Sequence, residues 1–400
     1  MNERVRATGR EWDPLDPETF RDPHATYAAL RQRCPVAYTD RWGGFWTLTR
    51  YEDIVAVAAD GDGFITSVQN LVPKSPRSGM PRRPLQVDPP EHARFRRVMN
   101  PYFEEERVAA LAPSLRAVAA RYLEPLLAEG RGDGAQAYAG RLPIRALCAF
   151  LRVPEADADF IQERSQRYVR ALGRDNQAAA EALSGELDAY ARQLVASRKR
   201  APLNPEQDIV SGLLEAQIDG RPIGDEIIAG FVRGLLVAGD RSTSNGIGSA
   251  ILHLARDRKL QEQLRRDPAR IPAAIEEFLR LYAPSQATAR TATREVEIGG
   301  RLVQAGEVVA MVFLAANRDP RAFPEPDRCI LGRQPNRHLG FGHGPHKCAG
   351  QSLARLQLRI ALEELLARTK EFRLDGPVSY NTWPEFGPRS LPLRFAIPAT

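Results

Sequence analysis

A chain of 400 residues, 43% of them hydrophobic, is long enough to bury a sizeable core, and its mean hydropathy of −0.38 is that of a soluble globular protein. The 56 Lys and Arg outnumber the 50 Asp and Glu by a formal charge of +6, scattered through helical segments and not blocked into tails. That pattern speaks against nucleic-acid binding and leaves room for an acidic protein partner. The polar start MNERVRATGREWDPLDP carries no apolar leader core, and no apolar run reaches membrane-spanning length, so a cytoplasmic chain without a membrane anchor is expected. Cys34, Cys148, Cys329 and Cys348 make no C-x-x-C pair, which fits a reducing compartment.

In chain order, residues 46–49 alternate like a short strand. Residues 61–90 hold Pro73, Pro76, Pro81, Pro84, Pro89 and Pro90 and read as one long irregular segment, of the kind that is functional or mobile. Asp88-Pro89-Pro90-Glu91 predicts a helix start: an Asp N-cap, proline in the first turn and Glu at the capping-box position. His92 and Arg96 then lie four apart on one face. Apolar residues at three- and four-residue spacing predict helices near 104–129, 155–172, 176–200, 225–256, 271–282 and 349–369. Glu277 and Arg280 are three apart on a helix, a pair that is ordinarily a minor surface contact. Residues 296–298 and 308–313 read as short strands. No repeat or linker divides the chain, so one mainly α domain with a small β part, residues 1–400, is expected.

The stretch FGHGPHKCAG, residues 341–350, sets Cys348 at or just before the start of the last long helix. Backbone N–H groups and the helix dipole favour a thiolate there, and Gly342, Gly344 and Gly350 admit close approach of a flat, bulky group. A thiolate open on one side suits axial ligation of haem iron. Three rival readings stand beside it. His338, His343, His346 and Cys348 could bind zinc, although three of the four crowd one turn; the glycines could cradle phosphate; Cys348 could be a nucleophile with His346 as base. A buried, inert cysteine is the plain alternative.

The same ten residues match the haem-binding signature of the cytochrome P-450 superfamily, with Phe341, Gly344, His346, Cys348 and Gly350 in its fixed places. Glu277-Phe278-Leu279-Arg280 resembles the family's E-x-x-R pair, which braces the core beneath the haem. DPPEHARFRR resembles its C-helix, ANRDPRAFPEPDR its meander and LLVAGDRST its oxygen-activating central helix. The similarity runs from about Asp13 and is nearest to soluble bacterial types, including the camphor-hydroxylase group. It implies haem b, Cys348 as the metal ligand, and His92, Arg96, Arg290 and His346 around the propionates, with Phe341 and Gly342 against the ring. It also implies a monomeric monooxygenase that draws electrons from NAD(P)H through a ferredoxin reductase and ferredoxin, docked on cations such as Lys347, Arg355 and Arg94.

The implied pocket lies among residues 63–87, 234–237 and 287–289 and Phe386, with Gly234 and Ala238 leaving room, for a medium-sized, mostly apolar organic substrate. The central helix departs from the family pattern. Its acid position holds Arg241 and its alcohol position Ser242, followed by Thr243 and preceded by Asp240. Serine can still donate a hydrogen bond and perturb the helix through its i−4 carbonyl, but a guanidinium cannot shuttle protons. Several readings follow: Arg241 is a neutral swap paired with a neighbouring acid, or it fixes an anionic substrate group or peroxide, or Asp240 is a displaced acid. A peroxide-driven oxygenase and a haem-binding sensor without turnover are the alternatives to the ferredoxin-driven enzyme.

Overall fold

A computed structural model describes residues 9–76 and 79–396. Its helices include α1 (Glu91–Met99), α2 (Ala112–Glu129), α3 (Ala158–Gly173), α4 (Gln177–Arg200), α5 (Asp225–Ala238), α6 (Arg241–Arg256), α7 (Ile271–Tyr282) and α8 (Gln351–Arg368). A five-stranded sheet is built from β1 (Val36–Thr39), β2 (Phe45–Leu48), β3 (Phe64–Ile65), β4 (Ala287–Ala292) and β5 (Val308–Val312), in the order β1-β2-β5-β4-β3. Only the β5–β2 pairing is parallel, Val309 opposite Trp46. One apolar core joins α2, α6, α7 and α8 through Leu123, Ile251, Phe278 and Leu362; another packs α1 against α4 and α5 through Phe95, Leu187 and Phe231. The mainly helical class with a small β part is thus the one read from the sequence.

Two local expectations need correction. The apolar pattern over 225–256 runs without a gap, yet the helix breaks at Gly239-Asp240 into α5 and α6. There the Ala238 carbonyl accepts Ser242 Oγ at 3.3 Å, and the Asp240 carbonyl accepts Ser244 Oγ at 3.0 Å. Hydroxyls that bond back to the i−4 carbonyl compete with the helical ladder, which is why periodicity alone missed the break. The second concerns Asp88. Pro90, not Asp88, is the N-cap of α1, and no side chain caps it. The Asp88 carboxylate instead accepts from Thr66 N at 2.6 Å and Thr66 Oγ1 at 3.0 Å, tying back the start of the long loop.

That loop is anchored at several points. Asn70 O accepts from Ala289 N at 2.8 Å, Val72 O from Trp383 Nε1 at 2.7 Å and Asp188 Oδ2 from Met80 N at 3.0 Å. Gly234 on α5 faces it: a Cβ there would lie 3.0 Å from the Arg83 carbonyl oxygen. The missing side chain at Gly234 is therefore needed for loop packing, where the sequence suggested free space for a ligand.

The Glu277–Arg280 pair is far from a surface contact. Both residues are fully buried, joined by Arg280 Nε to Oε1 at 2.7 Å and Nη2 to Oε2 at 3.0 Å. Arg333 Nε and Asn336 Nδ2 also donate to Oε1, at 3.1 and 3.2 Å, and Ile330 N donates to Oε2 at 2.7 Å. Arg280 in turn donates to the carbonyls of Asn317, Pro326 and Arg328. Five donors on one carboxylate hold Glu277 below its usual range despite its burial. Removing the charge strands two buried guanidiniums, a loss of about 3–5 kcal/mol. Glu277→Gln should therefore lower the urea unfolding midpoint sharply; a midpoint equal to wild type would show that the network carries no stability.

Candidate functional site

A cavity of about 380 Å³ lies between the break in the central helix and the loop 341–350. Cys348, Phe341, Gly342, His92, Arg96, Arg290 and His346 all line it, together with Arg241, Ser242 and Thr243. The topology thus brings to one place residues that are up to 256 positions apart in sequence, His92 and Cys348 among them.

The cysteine loop is a set of tight turns. Cys348 N donates to Phe341 O at 2.9 Å, Gly342 N to Leu339 O at 2.9 Å and Lys347 N to Gly344 O at 3.0 Å. Gly342 and Gly344 adopt φ of 71° and 68°, which favours glycine. A Cβ on Gly344 would sit 2.1 Å from the Ala58 carbonyl oxygen, so this glycine serves the approach of the chain to itself; on Gly342 the nearest atom would be 4.0 Å away. Cys348 precedes α8, whose N-cap is Gly350. Its sulfur opens into the cavity yet lies deep in the molecule, and that burial pushes the thiol up. The Gly350 N–H and the Arg96 and Arg355 charges oppose the push without cancelling it. The thiolate preference read from the helix start is therefore outweighed by desolvation until a cation arrives at the sulfur.

Four of the arginines around the cavity have no carboxylate within ion-pair reach among the described residues: Arg82 and Arg83 on the long loop, and Arg96 and Arg290. Arg290 is buried on β4, with Nη1 donating only to its neighbour's carbonyl, and burial lowers its pKa to about 10. Arg96 donates to Lys347 O at 2.9 Å, and burial likewise lowers it. The rings of His92 and His346 lie tilted against each other, with centroids 4.0 Å apart. Burial, then neighbouring positive charge, pushes His92 to about 4 and His346 to about 3, so both rings are neutral and only the arginines carry charge. His92 Nε2 is buried without a partner. Two uncompensated guanidiniums and an orphaned imidazole nitrogen beside an open thiol are what a flat dianionic group with a central metal would satisfy. Haem, with two propionates, fits these residues.

The zinc reading fails on geometry. Among the described residues no three His, Cys, Asp or Glu side chains converge as a metal would need. His338 Nδ1 accepts from Gly340 N at 3.1 Å, so its Nε2 carries the proton given to Glu276 Oε2 at 3.0 Å.

On the central helix, Arg241 Nε lies 2.5 Å from Glu385 Oε2, with both side chains mostly buried and lining the cavity. The positive charge that might hold an anion is matched there, while Phe386, named as the pocket boundary, is buried against His24 and Tyr380. Its neighbours Pro384 and Glu385 form the wall. Asp240 does not line the cavity. It is fully buried, with Oδ1 3.3 Å from Gln162 Nε2 of α3 and Oδ2 unpartnered. Sequence reasoning missed Glu385, Arg333 and Glu276, none of which stands in a motif; only an acid beside the C-terminal aromatic turn hinted at the first.

The chain belongs to the cytochrome P450 family, whose model matches residues 152–378. It is 36% identical to mycinamicin IV hydroxylase/epoxidase of Micromonospora griseorubida, covering 94% of this chain and 97% of the relative. It is 35% identical to vitamin D(3) 25-hydroxylase of Pseudonocardia autotrophica, with 92% of each covered. The solved structure of cytochrome P450 CYP109Q5 from Chondromyces apiculatus superposes with a TM-score of 0.87 at 30% identity, covering 97% of this chain and 99% of that one. The enzyme is thus a P450 monooxygenase, and haem b is the family's cofactor.

Desolvation raises the Asp240 carboxyl to about 6. An acid raised on folding is held protonated below its unfolded pKa without penalty, and the fold loses stability as pH rises from about 4 through about 6. Asp240→Asn should therefore be more stable than wild type at pH 8, by about 2–3 kcal/mol, and the gap should shrink towards pH 5. Urea midpoints at the two pH values check this, and a constant gap would mean that Asp240 does not titrate in this range.

Proposed function

We propose that Cys348 is the proximal thiolate ligand of haem b, and that Arg96 and Arg290 neutralise its two propionates, with the neutral imidazoles of His92 and His346 beside them. The carrying observation is the buried Arg290 and the half-buried Arg96, both without counter-charges among the described residues, on the cavity that Cys348 opens into. Phe341 and Gly342 lie against the same space. When bound, the haem supplies reductive activation of O₂ and places one oxygen atom in a C–H bond or double bond. The chain's own residues do the rest, as a single-domain monomer in the cytoplasm; among the described residues no helix is long and apolar enough to cross a membrane.

Ser242 holds a proton at Oγ on the cavity wall, donated to the Ala238 carbonyl at 3.3 Å, and rotation of that hydroxyl would turn the proton into the cavity. Arg241, locked on Glu385, holds the C-terminal turn against the central helix and takes no part in proton transfer. Thr243, almost fully buried beside Ser242, lends a second hydroxyl to that wall. Leu71, Val72, Leu147, Val237 and Met311 make the remaining surface apolar and exclude water, suiting a medium-sized organic substrate. The relatives named as hydroxylases and an epoxidase support both outcomes.

Electrons from NAD(P)H arrive through a ferredoxin and its reductase. Of the cations named for docking, Arg355 is forked onto Glu276 at 2.7 and 2.9 Å, and Arg94 pairs with Asp219 at 2.8 Å. Lys347, exposed in the cysteine loop and without an ion pair among the described residues, is left to meet an acidic partner. Lys347→Glu should slow reduction by ferredoxin about 3–10-fold at low salt, with the difference fading at high salt. Stopped-flow reduction measures it, and equal rates at low salt would remove Lys347 from the docking face.

The haem assignment is tested by spectroscopy. The reduced, carbon monoxide-bound protein should absorb near about 450 nm, and Cys348→Ser should abolish that band while the haem remains extractable. A variant that keeps the band would overturn Cys348 as the ligand.

A further inference from the structure

Beside the apolar cavity lies a second one of about 230 Å³, and Arg82, Asn70 and Tyr168 line both. Its walls are polar where the first is apolar. Arg82, 4% exposed, comes from the long loop, and Arg233, 1% exposed, comes from α5. Arg82 Nη2 donates to Ser75 Oγ at 2.8 Å and to Asn70 Oδ1 at 3.3 Å, both neutral acceptors. No carboxylate among the described residues reaches it.

Arg233 faces one acid. Its Nε stands 2.9 Å from Asp188 Oδ1 without the alignment of a hydrogen bond, Nη2 donates to Ser184 Oγ at 3.2 Å, and Nη1 has no partner at all. Asp188 spends its other oxygen on Met80 N. Two buried guanidiniums thus line one polar space with a single carboxylate, on Arg233 alone, and among the described residues one Arg233 N–H group is left without a hydrogen-bond partner. A buried positive charge left in this state costs several kcal/mol, and an oxyanion between the two arginines would remove the cost. Repulsion from Arg82 is felt at Arg233, whose pKa is lowered by burial first and by Arg82 among the lesser causes.

We infer that this polar annex binds an oxyanion group, a carboxylate, sulfate or phosphate, carried at the end of the substrate whose apolar body fills the main cavity. The anion selectivity suspected of Arg241 thus moves to Arg82 and Arg233, because Glu385 already answers Arg241. Shared lining by Asn70, Arg82 and Tyr168 lets one molecule occupy both spaces. The inference rests on the reading of the main cavity as the substrate site.

The test uses the haem-loaded enzyme and ligands in matched sets: decanoic, dodecanoic and 4-phenylbutanoic acids, each against its methyl ester and its primary alcohol. Binding is read by the Soret spin shift and by calorimetry. At least one acid should bind about tenfold or more tighter than its neutral mates. Arg82→Gln should erase that preference. Asn70→Asp, which sets a carboxylate against Arg82 and leaves the arginine in place, should erase it too, so the result does not depend on the fold tolerating one variant. No acid preference in any set, or a preference that survives both substitutions, overturns the inference. Sodium sulfate titrated by calorimetry separates the two sources of the anion: uptake of sulfate that requires Arg82, without any acid preference, would mean a free ion and overturn the substrate assignment. A retained band near about 450 nm in all variants shows that the haem-thiolate reading stands whichever way these results fall.

Discussion

A single buried carboxylate organises the segment that delivers the thiol. Glu277 collects Arg280, Arg333, Asn336 and the Ile330 N–H, and Arg280 passes the restraint to the carbonyls of residues 317, 326 and 328. Asn317 then accepts the Leu339 N–H at 2.7 Å, at the mouth of the cysteine loop. The adjacent residue finishes the task from the same helix. Glu276 binds His338 before the loop and Arg355 after it, and the Arg355 guanidinium lies 4.5 Å over the Phe341 ring. Two consecutive glutamates on α7 therefore fix both ends of the turn that carries Cys348. An irregular segment without its own ladder bonds can be held rigid this way, since the cost of burying charge is met by many donors at once.

The other wall of the cavity is shaped by a break. An unbroken helix through 225–256 would direct every i−4 carbonyl along its axis; the interruption at Gly239-Asp240 turns the Ala238 carbonyl to a side-chain hydroxyl. It also sinks Asp240 against Gln162 of α3 while Arg241 and Ser242 face the cavity, as the rotation of roughly 100° per residue requires. Arg241 cannot act as an acid, and its partner Glu385 comes from a turn 144 residues away. Their ion pair staples the C-terminal turn to the central helix.

How much of this was legible in the sequence depends on the range of each interaction. Helix periodicity and the cysteine signature could be read because local spacing or a compact motif encodes them; His92, Arg96, Arg290 and His346 were named only through the resemblance, and the fold brings them to one cavity. The burial of Glu277 and Arg280 could not, because an i,i+3 pair looks the same on a surface and in a core; only the resemblance raised it above a surface contact. Asp88 was misread for a related reason. A capping box is a local rule, whereas the carboxylate answers Thr66, 22 residues upstream, in a loop whose path no periodicity describes. Gly234 and Gly344 were seen as space for a ligand, and both turn out to admit backbone carbonyls, of Arg83 and Ala58. A glycine records that something comes close without recording what.

Charge matching sorts the buried arginines of this protein by role more sharply than their sequence context does. Arg280 and Arg333 share Glu277 and donate their remaining N–H groups to backbone carbonyls, and Arg241 meets Glu385; these are structural. Arg96 and Arg290 border the cavity with no counter-charge, beside an imidazole nitrogen that lacks a partner. Arg82 with Arg233 and Asp188 leaves a second surplus, in a separate polar space. An unmatched guanidinium inside a protein is expensive, and a ligand that brings negative charge to either cavity would remove that cost. One surplus sits where the thiol points and matches the two charges of a haem. The other adjoins the apolar cavity through Asn70, Arg82 and Tyr168, and Cys348 does not line it.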